Sequence, residues 1–424
     1  MSRSLIAFIL ILLVVLVSRL FTFYSTKTVY RDGEKISFSS RILSEPKVYK
    51  SYQSFWLELP STDRVYVKTE IYPEYYFQDS VNVAGSVRFL PHQGGGQNYG
   101  ASGQNNRLLN DEASILTMDY PKISFVKNSD GLFLAVVKPI RQKIITVFDK
   151  TLPKDLSGLM LGIVFGIKQN LSKDFLDNLK TAGVMHVIAA SGMNVTMTAG
   201  FVFYLFSLIF KRQLAVFLSG LGILFYAILA GFEASIVRAS IMGIIAFSSQ
   251  ILGKQQYGFY ALLLTGFLML FISPNYLFDI GFKLSFAATL GILFIPGVFT
   301  RFQNALSDNF LTTISAQIAT IPIILASFGT YSLWSVIANT LVLWTVPFLM
   351  ILGGIAALVS FIFEPAATIF LYLCLPLLLY FEKMVAFFGT LKGNIVLESF
   401  PWQFGVAYYL FLASFLLFYF KRND

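Results

Sequence analysis

"AGVMHVIAASGMNVTMTAG", residues 182–200, carries one of the chain's two histidines, His186, at the mouth of a run apolar enough to enter a membrane. Four small residues follow, Ala189, Ala190, Ser191 and Gly192, and then Asn194 and Thr196. Such a stretch admits three readings: a catalytic site, a close-packing motif, or the lining of a path for something polar. The surroundings narrow the choice. Of 424 residues, 56% are hydrophobic and only 13% charged, against about 25% charged in a soluble domain. The 44 Phe and 21 Tyr suit lipid-facing and interfacial positions. The chain reads as a polytopic α-helical membrane protein.

Toward the C-terminus, apolar runs fall near 184–209, 214–232, 235–252, 257–272, 277–299, 309–328, 333–360, 367–390 and 402–420. One crossing needs about 20 residues. Residues 5–24, "LIAFILILLVVLVSRLFTFY", follow a basic start at Arg3 and show no small-residue cleavage site. They read as an uncleaved anchor spanning residues 1–26, which brings the expected total to about ten spans. The junctions "KRQ" (211), "GKQQ" (253), "TRFQ" (300) and "KRND" (421) are positive, whereas "SPN" (273) and "GTYS" (329) carry no charge. The junction at 391–401 carries Lys392 and Glu398, and the one around Glu364 lacks positive charge. Positive loops stay inside, so both termini are expected in the cytoplasm and residues 27–182 outside. The net charge of +9 fits such loops most simply, although anionic lipid or a polyanionic cargo would suit it too. The lone cysteine, Cys374, makes no intrachain disulfide and no cysteine metal site.

Residues 27–130 differ in kind. "KISFSSRIL", "SFWLELP", "RVYVKTEIY" and "VNVAGSVRFL" alternate apolar and polar positions, and "ILTMDYPKISFV" follows a long loop. Five short strands suggest a small extracytoplasmic barrel of the OB type, or a sandwich. The Gly-, Asn- and Ser-rich loop at 94–106 reads as a surface loop, since no strand-to-helix context supports phosphate cradling. Twelve basic against twelve acidic residues leave no charge argument for a nucleic-acid surface. Residues 131–182 read as amphipathic interfacial helices. Ile140, Ile144, Ile145, Phe148 and Leu152 keep helical spacing, as do Leu171, Phe175, Leu176 and Leu179, with Ser172 as N-cap.

Chemistry is sparse. Ser191 before Gly192 is similar to the setting of an intramembrane serine nucleophile, but that hydroxyl needs a base within reach. His186 lies five residues back, roughly 140° round a helix, and His92 belongs to the polar domain. No metal-ligand spacing and no phosphate-loop motif occur. The sequence therefore predicts no catalytic residue, no metal, no cofactor and no enzyme activity, and any driven transport would rely on another protein or a gradient. What remains is a set of polar groups inside apolar spans: Arg238, Asp279 and Lys283 (four apart on one face), Ser285, Gln317 and Asn339. A cationic residue at mid-bilayer costs roughly 2.5–3.5 kcal/mol on insertion scales. Arg238 and Lys283 thus either face a path or snorkel from the ends of their spans. Gln317 and Asn339 suit interhelical hydrogen bonds.

Four blocks occur in order: "GVMHVIAASGMNV" (183–195), "GFEASIVRASIM" (231–242), "SPNYLFDIGFKLSFAATLGIL" (273–293) and "AQIATIPIILASFGTYSLWSVIANTLV" (316–342). Together they resemble the ComEC-type competence family, over about 157–420. The resemblance implies a channel in the bacterial plasma (inner) membrane that imports single-stranded DNA during natural transformation, its transmembrane domain here covering 183–424. It also implies contact with membrane lipid, an outside DNA receptor and a cytosolic ATPase, and homo-oligomer formation. Family members often continue into a metallo-β-lactamase-like domain, whereas this sequence stops at Asp424, so no attached nuclease activity is expected. The family commonly has S-G-x-H-V where this chain has Asn194, which favours lining or packing over acid–base work. His186, Ser191, Gly192 and Asn194 are then expected at the outer entrance of the path. Trp56, Tyr66, Tyr75, Tyr76 and Phe77 are candidate stacking platforms for bases, with core packing the alternative. A channel for another polar solute, or a non-conducting scaffold of an uptake machine, would share most of these features.

Overall fold

The computed structural model describes residues 3–26, 30–44, 46–49, 51–61, 63–91, 114–126, 132–167, 171–188, 191–251, 257–298, 308–391, 393–397 and 400–423. The loop at 94–106, Ala189, Ala190 and the junctions around 254 and 301 lie outside them. Two units divide the chain: residues 1–142 with 266–279, and residues 143–265 with 280–424.

The first unit begins with helix α1 (Arg3–Ser25) and continues into eight short strands: β1 (Lys35–Arg41), β2 (Lys47–Val48), β3 (Gln53–Glu58), β4 (Arg64–Thr69), β5 (Ser80–Ser86), β6 (Arg88–Pro91), β7 (Ser114–Asp119) and β8 (Lys122–Phe125). All five expected strand segments are present, and two of them bend. The fourth divides at Val87 into β5 and β6. The fifth divides at Tyr120, whose φ of +49° turns the chain. A bent strand can serve two sheets, and here the order is β1-β5-β8 in one and β2-β3-β4-β7-β6 in the other. The β4–β7 pairing is parallel, the other strand pairs are antiparallel, and an Ile42–Leu57 bridge joins the two sheets. A methyl on Gly85 would lie 2.7 Å from Pro121 Cβ, so only glycine lets the bent strands approach this closely. Alternate residues fill one core, among them Phe38, Phe55, Val67, Val83 and Met118. The same unit holds the turn at 273–279. Tyr24 Oη donates to the Pro274 carbonyl at 2.9 Å, and Arg64 lies 3.9 Å from Asp279.

Helices make the second unit: α2 (Leu132–Thr151), α3 (Lys154–Phe165), α4 (Lys173–Thr181), α5 (Gly192–Ser207), α6 (Arg212–Leu229), α7 (Ala234–Ile251), α8 (Gly258–Ile272), α9 (Ile280–Phe294), α10 (Asp308–Phe328), α11 (Ser335–Leu343), α12 (Thr345–Ser360), α13 (Glu364–Thr390) and α14 (Trp402–Asn423). Strands β9 (Thr330–Ser332) and β10 (Asn394–Val396) pair antiparallel. The chain of α2 and of α8 runs across the boundary between units. Among the described residues, six helices are long and apolar enough to cross a membrane. The pair α11–α12 passes the same test but is bent by 43°, and apolar helices at Leu10–Ser25, Ala234–Ser249 and Gly258–Ile272 are shorter. The expected single span at 333–360 is therefore two helices meeting at Trp344.

The segment expected to lie at an interface holds a second departure. Helix α4 is amphipathic, with Phe175 and Leu179 buried, and Ser172 Oγ accepts from the Phe175 N–H at 3.2 Å as its cap. Helix α3 is not amphipathic: every residue from Leu156 to Phe165 is buried. A short helix apolar all round belongs in the interior rather than at a surface. Its glycines make that fit: a methyl on Gly162 would lie 2.2 Å from Ile188 Cγ2, and one on the facing Gly353 would lie 2.3 Å from Met160 Cε.

Candidate functional site: a polar seam in the helical unit

Helix α3 ends against the start of α5. Its last turn leaves carbonyls without intrahelical donors, and one of them, Ile163 O, accepts from Asn194 Nδ2 at 2.7 Å. Asn194 is 1% exposed, and its Oδ1 accepts from Ser191 Oγ at 2.9 Å. Ser191 occupies the N-cap of α5, but its hydroxyl is turned toward Asn194 instead of capping a backbone N–H. Asn194 is thus a packed bridge between helices. His186, in a 3-10 turn at Met185–Val187, is exposed.

A second connection joins α5, α7 and α9. Arg238 Nε donates to Ser285 Oγ at 2.5 Å, and a methyl on Gly192 would lie 2.8 Å from an Arg238 terminal nitrogen. The guanidinium therefore rests on bare backbone at the start of α5. A helix start carries partial positive charge, so this placement favours an anion nearby and would be costly without one or without water. Lys283 is half-buried on the same helix as Ser285. Asp279, in the turn before that helix, lies beside Arg64 of the first unit's sheet.

A third group gathers where β9 meets α11. Gln317 Oε1 on α10 accepts from Tyr331 Oη at 2.9 Å and from Ser335 Oγ at 3.3 Å, which is the interhelical role expected of it. Asn339 departs from expectation: it is 2% exposed, and its Oδ1 has no hydrogen-bond partner among the described residues. Ser332, Ser335 and Tyr331 were not singled out from sequence, although Ser335 and Asn339 are four apart and so share a helix face.

The aromatic candidates of the first unit separate by burial. Trp56, Tyr66 and Tyr75 are 7%, 6% and 5% exposed, so they offer no face to a base, and their reading as stacking platforms is corrected to core packing. Trp56 and Tyr66 are cross-strand partners with ring centroids 5.1 Å apart. Burial pushes the Tyr66 hydroxyl's pKa up, which keeps it a donor to Ser54 Oγ at 2.7 Å. Phe77 is half-buried, with the Arg141 guanidinium 4.7 Å from its ring centre. Tyr76 is exposed. Among the described residues no three His, Cys, Asp or Glu side chains converge as a metal group would require.

Residues 163–423, more than half the chain, match the family described as competence protein. ComE operon protein 3 of Bacillus subtilis (strain 168) is 27% identical over 221 residues, which cover 52% of this chain and 28% of that protein. An uncharacterized protein of Aquifex aeolicus (strain VF5) is 29% identical over 262 residues, 61% of each chain. The chain thus covers less than two thirds of the length of either curated relative. No solved structure matches it.

Proposed function

We propose, from the premise that this chain belongs to the competence protein family, that it carries single-stranded DNA inward across a bacterial plasma membrane during natural transformation. The observation that carries this reading is the seat of Arg238: a guanidinium among apolar helices, bonded to Ser285 and resting on Gly192 at a helix start. Such a group meets a phosphate backbone with charge where a low dielectric makes charge count. An outside DNA receptor and a cytosolic ATPase would deliver and drive the strand. The chain itself is proposed to hydrolyse nothing, so chelator-sensitive DNA cleavage by the pure protein would contradict that part.

Ten spans are proposed, made of the six long apolar helices, the bent pair α11–α12 and the three shorter ones. Two pairings support the accompanying topology. The β9–β10 ladder brings the junctions at 330 and 394 together, and α11–α12 with α13 gives two crossings between them. The contacts Tyr24–Pro274 and Arg64–Asp279 hold the junction at 273 with the strand-rich unit. All three junctions are those the charge pattern assigns to the outside, leaving both termini in the cytoplasm. For residues 27–130 an OB-like barrel is proposed. With each bent strand counted once and the two-residue β2 set aside, the five strands pair in the closed order 1-2-3-5-4-1 with one parallel contact, which suits a small Greek-key barrel.

The test is entry of labelled DNA into the cytosol of a strain whose own gene is deleted and then replaced. Entry lost on deletion and restored by this chain is expected; normal entry in the deletion strain would refute the reading. The burial of Trp56, Tyr66 and Tyr75 favours a second reading for the barrel alone, as a structural or partner-docking module. Affinity of the purified chain for single strands that falls steeply with salt argues for DNA contact; no binding at low salt argues for docking.

A further inference from the structure

A buried oxygen without a partner costs free energy, and in a membrane interior no bulk water relieves it. Two such atoms fall on one short stretch of the helical unit. Ser332 Oγ and Asn339 Oδ1 are enclosed, at 6% and 2% exposure, and neither has a hydrogen-bond partner among the described residues. Ser335 stands between them in sequence and shares the α11 face of Asn339. The backbone at Gly183, where φ is +74°, lies along this edge: a methyl there would sit 2.5 Å from Ser335 Cβ and 3.3 Å from Ser332 Cβ.

Among the described residues that share hydrogen bonds here, the neighbourhood is polar and none carries a formal charge. Ser335 and Tyr331 donate to Gln317 Oε1, and each donor oxygen keeps lone pairs for another partner. Among the described residues no carboxylate belongs to the group, which disfavours a divalent cation. Water satisfies such a set. The helix also breaks here, α11 giving way to α12 with a 43° bend at Trp344. In membrane proteins, discontinuous helices with enclosed polar groups sit beside water-filled cavities.

We infer that a water-filled route through the helical unit runs along the edge formed by Ser332 at the end of β9 and Ser335 and Asn339 on α11, beside the turn at Gly183. The inference rests on the reading of this unit as a conduit and gives that conduit a position. Neutral donors and acceptors suit a polyanionic strand, because a route must bind its cargo weakly enough to release it. Arg238 then meets the strand as a charge, and this edge lets it slide.

The experiment uses the full chain in intact cells with Cys374, itself fully buried, replaced by alanine. Single cysteines are placed by Ser332→Cys, Asn339→Cys and Ala338→Cys, and a membrane-impermeant cationic thiol reagent is added outside. Ala338 is 1% exposed and sits one residue from Asn339, about 100° round the helix. Expected is at least tenfold faster labelling at 332 and 339 than at 338. If Asn339→Cys does not accumulate in the membrane, Ser335→Cys on the same edge takes its place. Equal silence at all three positions overturns the route, and so does equal reactivity, which would make the whole helix wet. The labelling needs no DNA, so its failure is separate from failure of the DNA reading. Labelling at 332 and 339 in a chain that imports no DNA upholds the route and removes the cargo.

Discussion

Asn194 shows how a single polar side chain can join two helices in an apolar setting. It donates to the last turn of α3 and accepts from the start of α5. Asn194→Ala would leave the Ile163 carbonyl and the Ser191 hydroxyl without these partners, a loss of about 1–3 kcal/mol. Thermal unfolding of the detergent-purified chain is expected to shift down; an unchanged midpoint would mean that water replaces the amide freely. The sequence pointed to this residue through its polarity beside small neighbours. It did not reveal the partner, because Ile163 is 31 positions away and contributes a carbonyl that any residue has. The aromatic residues failed for a related reason. Alternation along β3 places Trp56 opposite the core side, yet Gln53 to Leu57 are all buried. Period-two spacing tells the two faces of a strand apart but does not say whether the second face is covered.

Helix α3 is the element whose role was hardest to read. Its run of 12 residues is shorter than one crossing, and the amphipathic α2 and α4 flank it. Its glycines carry a prediction that intrinsic propensity contradicts. In a helix interior Gly→Ala gains up to about 1 kcal/mol, but a methyl on Gly162 would meet Ile188 Cγ2 at 2.2 Å. Overpacking of this sort costs about 1–3 kcal/mol. Gly162→Ala should therefore lower the unfolding temperature, whereas Gly354→Ala, with nothing within 4 Å of the added methyl, should not. Helix α10 carries the other element-scale prediction. Pro322 has no N–H for the Ile318 carbonyl, and that carbonyl accepts instead from Tyr408 Oη at 2.9 Å, with Tyr409 Oη on Ala319 O at 2.8 Å. Tyr408→Phe and Tyr409→Phe should each cost about 1 kcal/mol, read from the same unfolding curves. In a Pro322→Ala background, where the helix supplies its own donor, the cost of Tyr408→Phe should shrink.

For the whole molecule, strand segments and apolar runs were legible because each is a local pattern. What was not legible is what those elements do to one another: the bends that let two strands serve two sheets, the break at Trp344, and the pairing of β9 with β10. That last pairing can be tested. Thr330 and Val396 are register partners, so Thr330→Cys with Val396→Cys, in a Cys374→Ala background, should form a disulfide in the oxidising compartment outside. Reporter fusions at Ser273 and Gly329 should read external, and those at Lys254 and Arg301 internal; reversal at two of these sites would contradict the topology. The most direct measurement of the central claim is transformation frequency in a deletion strain carrying Arg238→Gln at matched membrane abundance. If the seated guanidinium serves a passing polyanion, frequency falls at least tenfold while abundance holds, and Arg238→Lys recovers part of it. A frequency equal to the wild-type chain's, in a strain where deletion abolishes transformation, would contradict a DNA path past this residue.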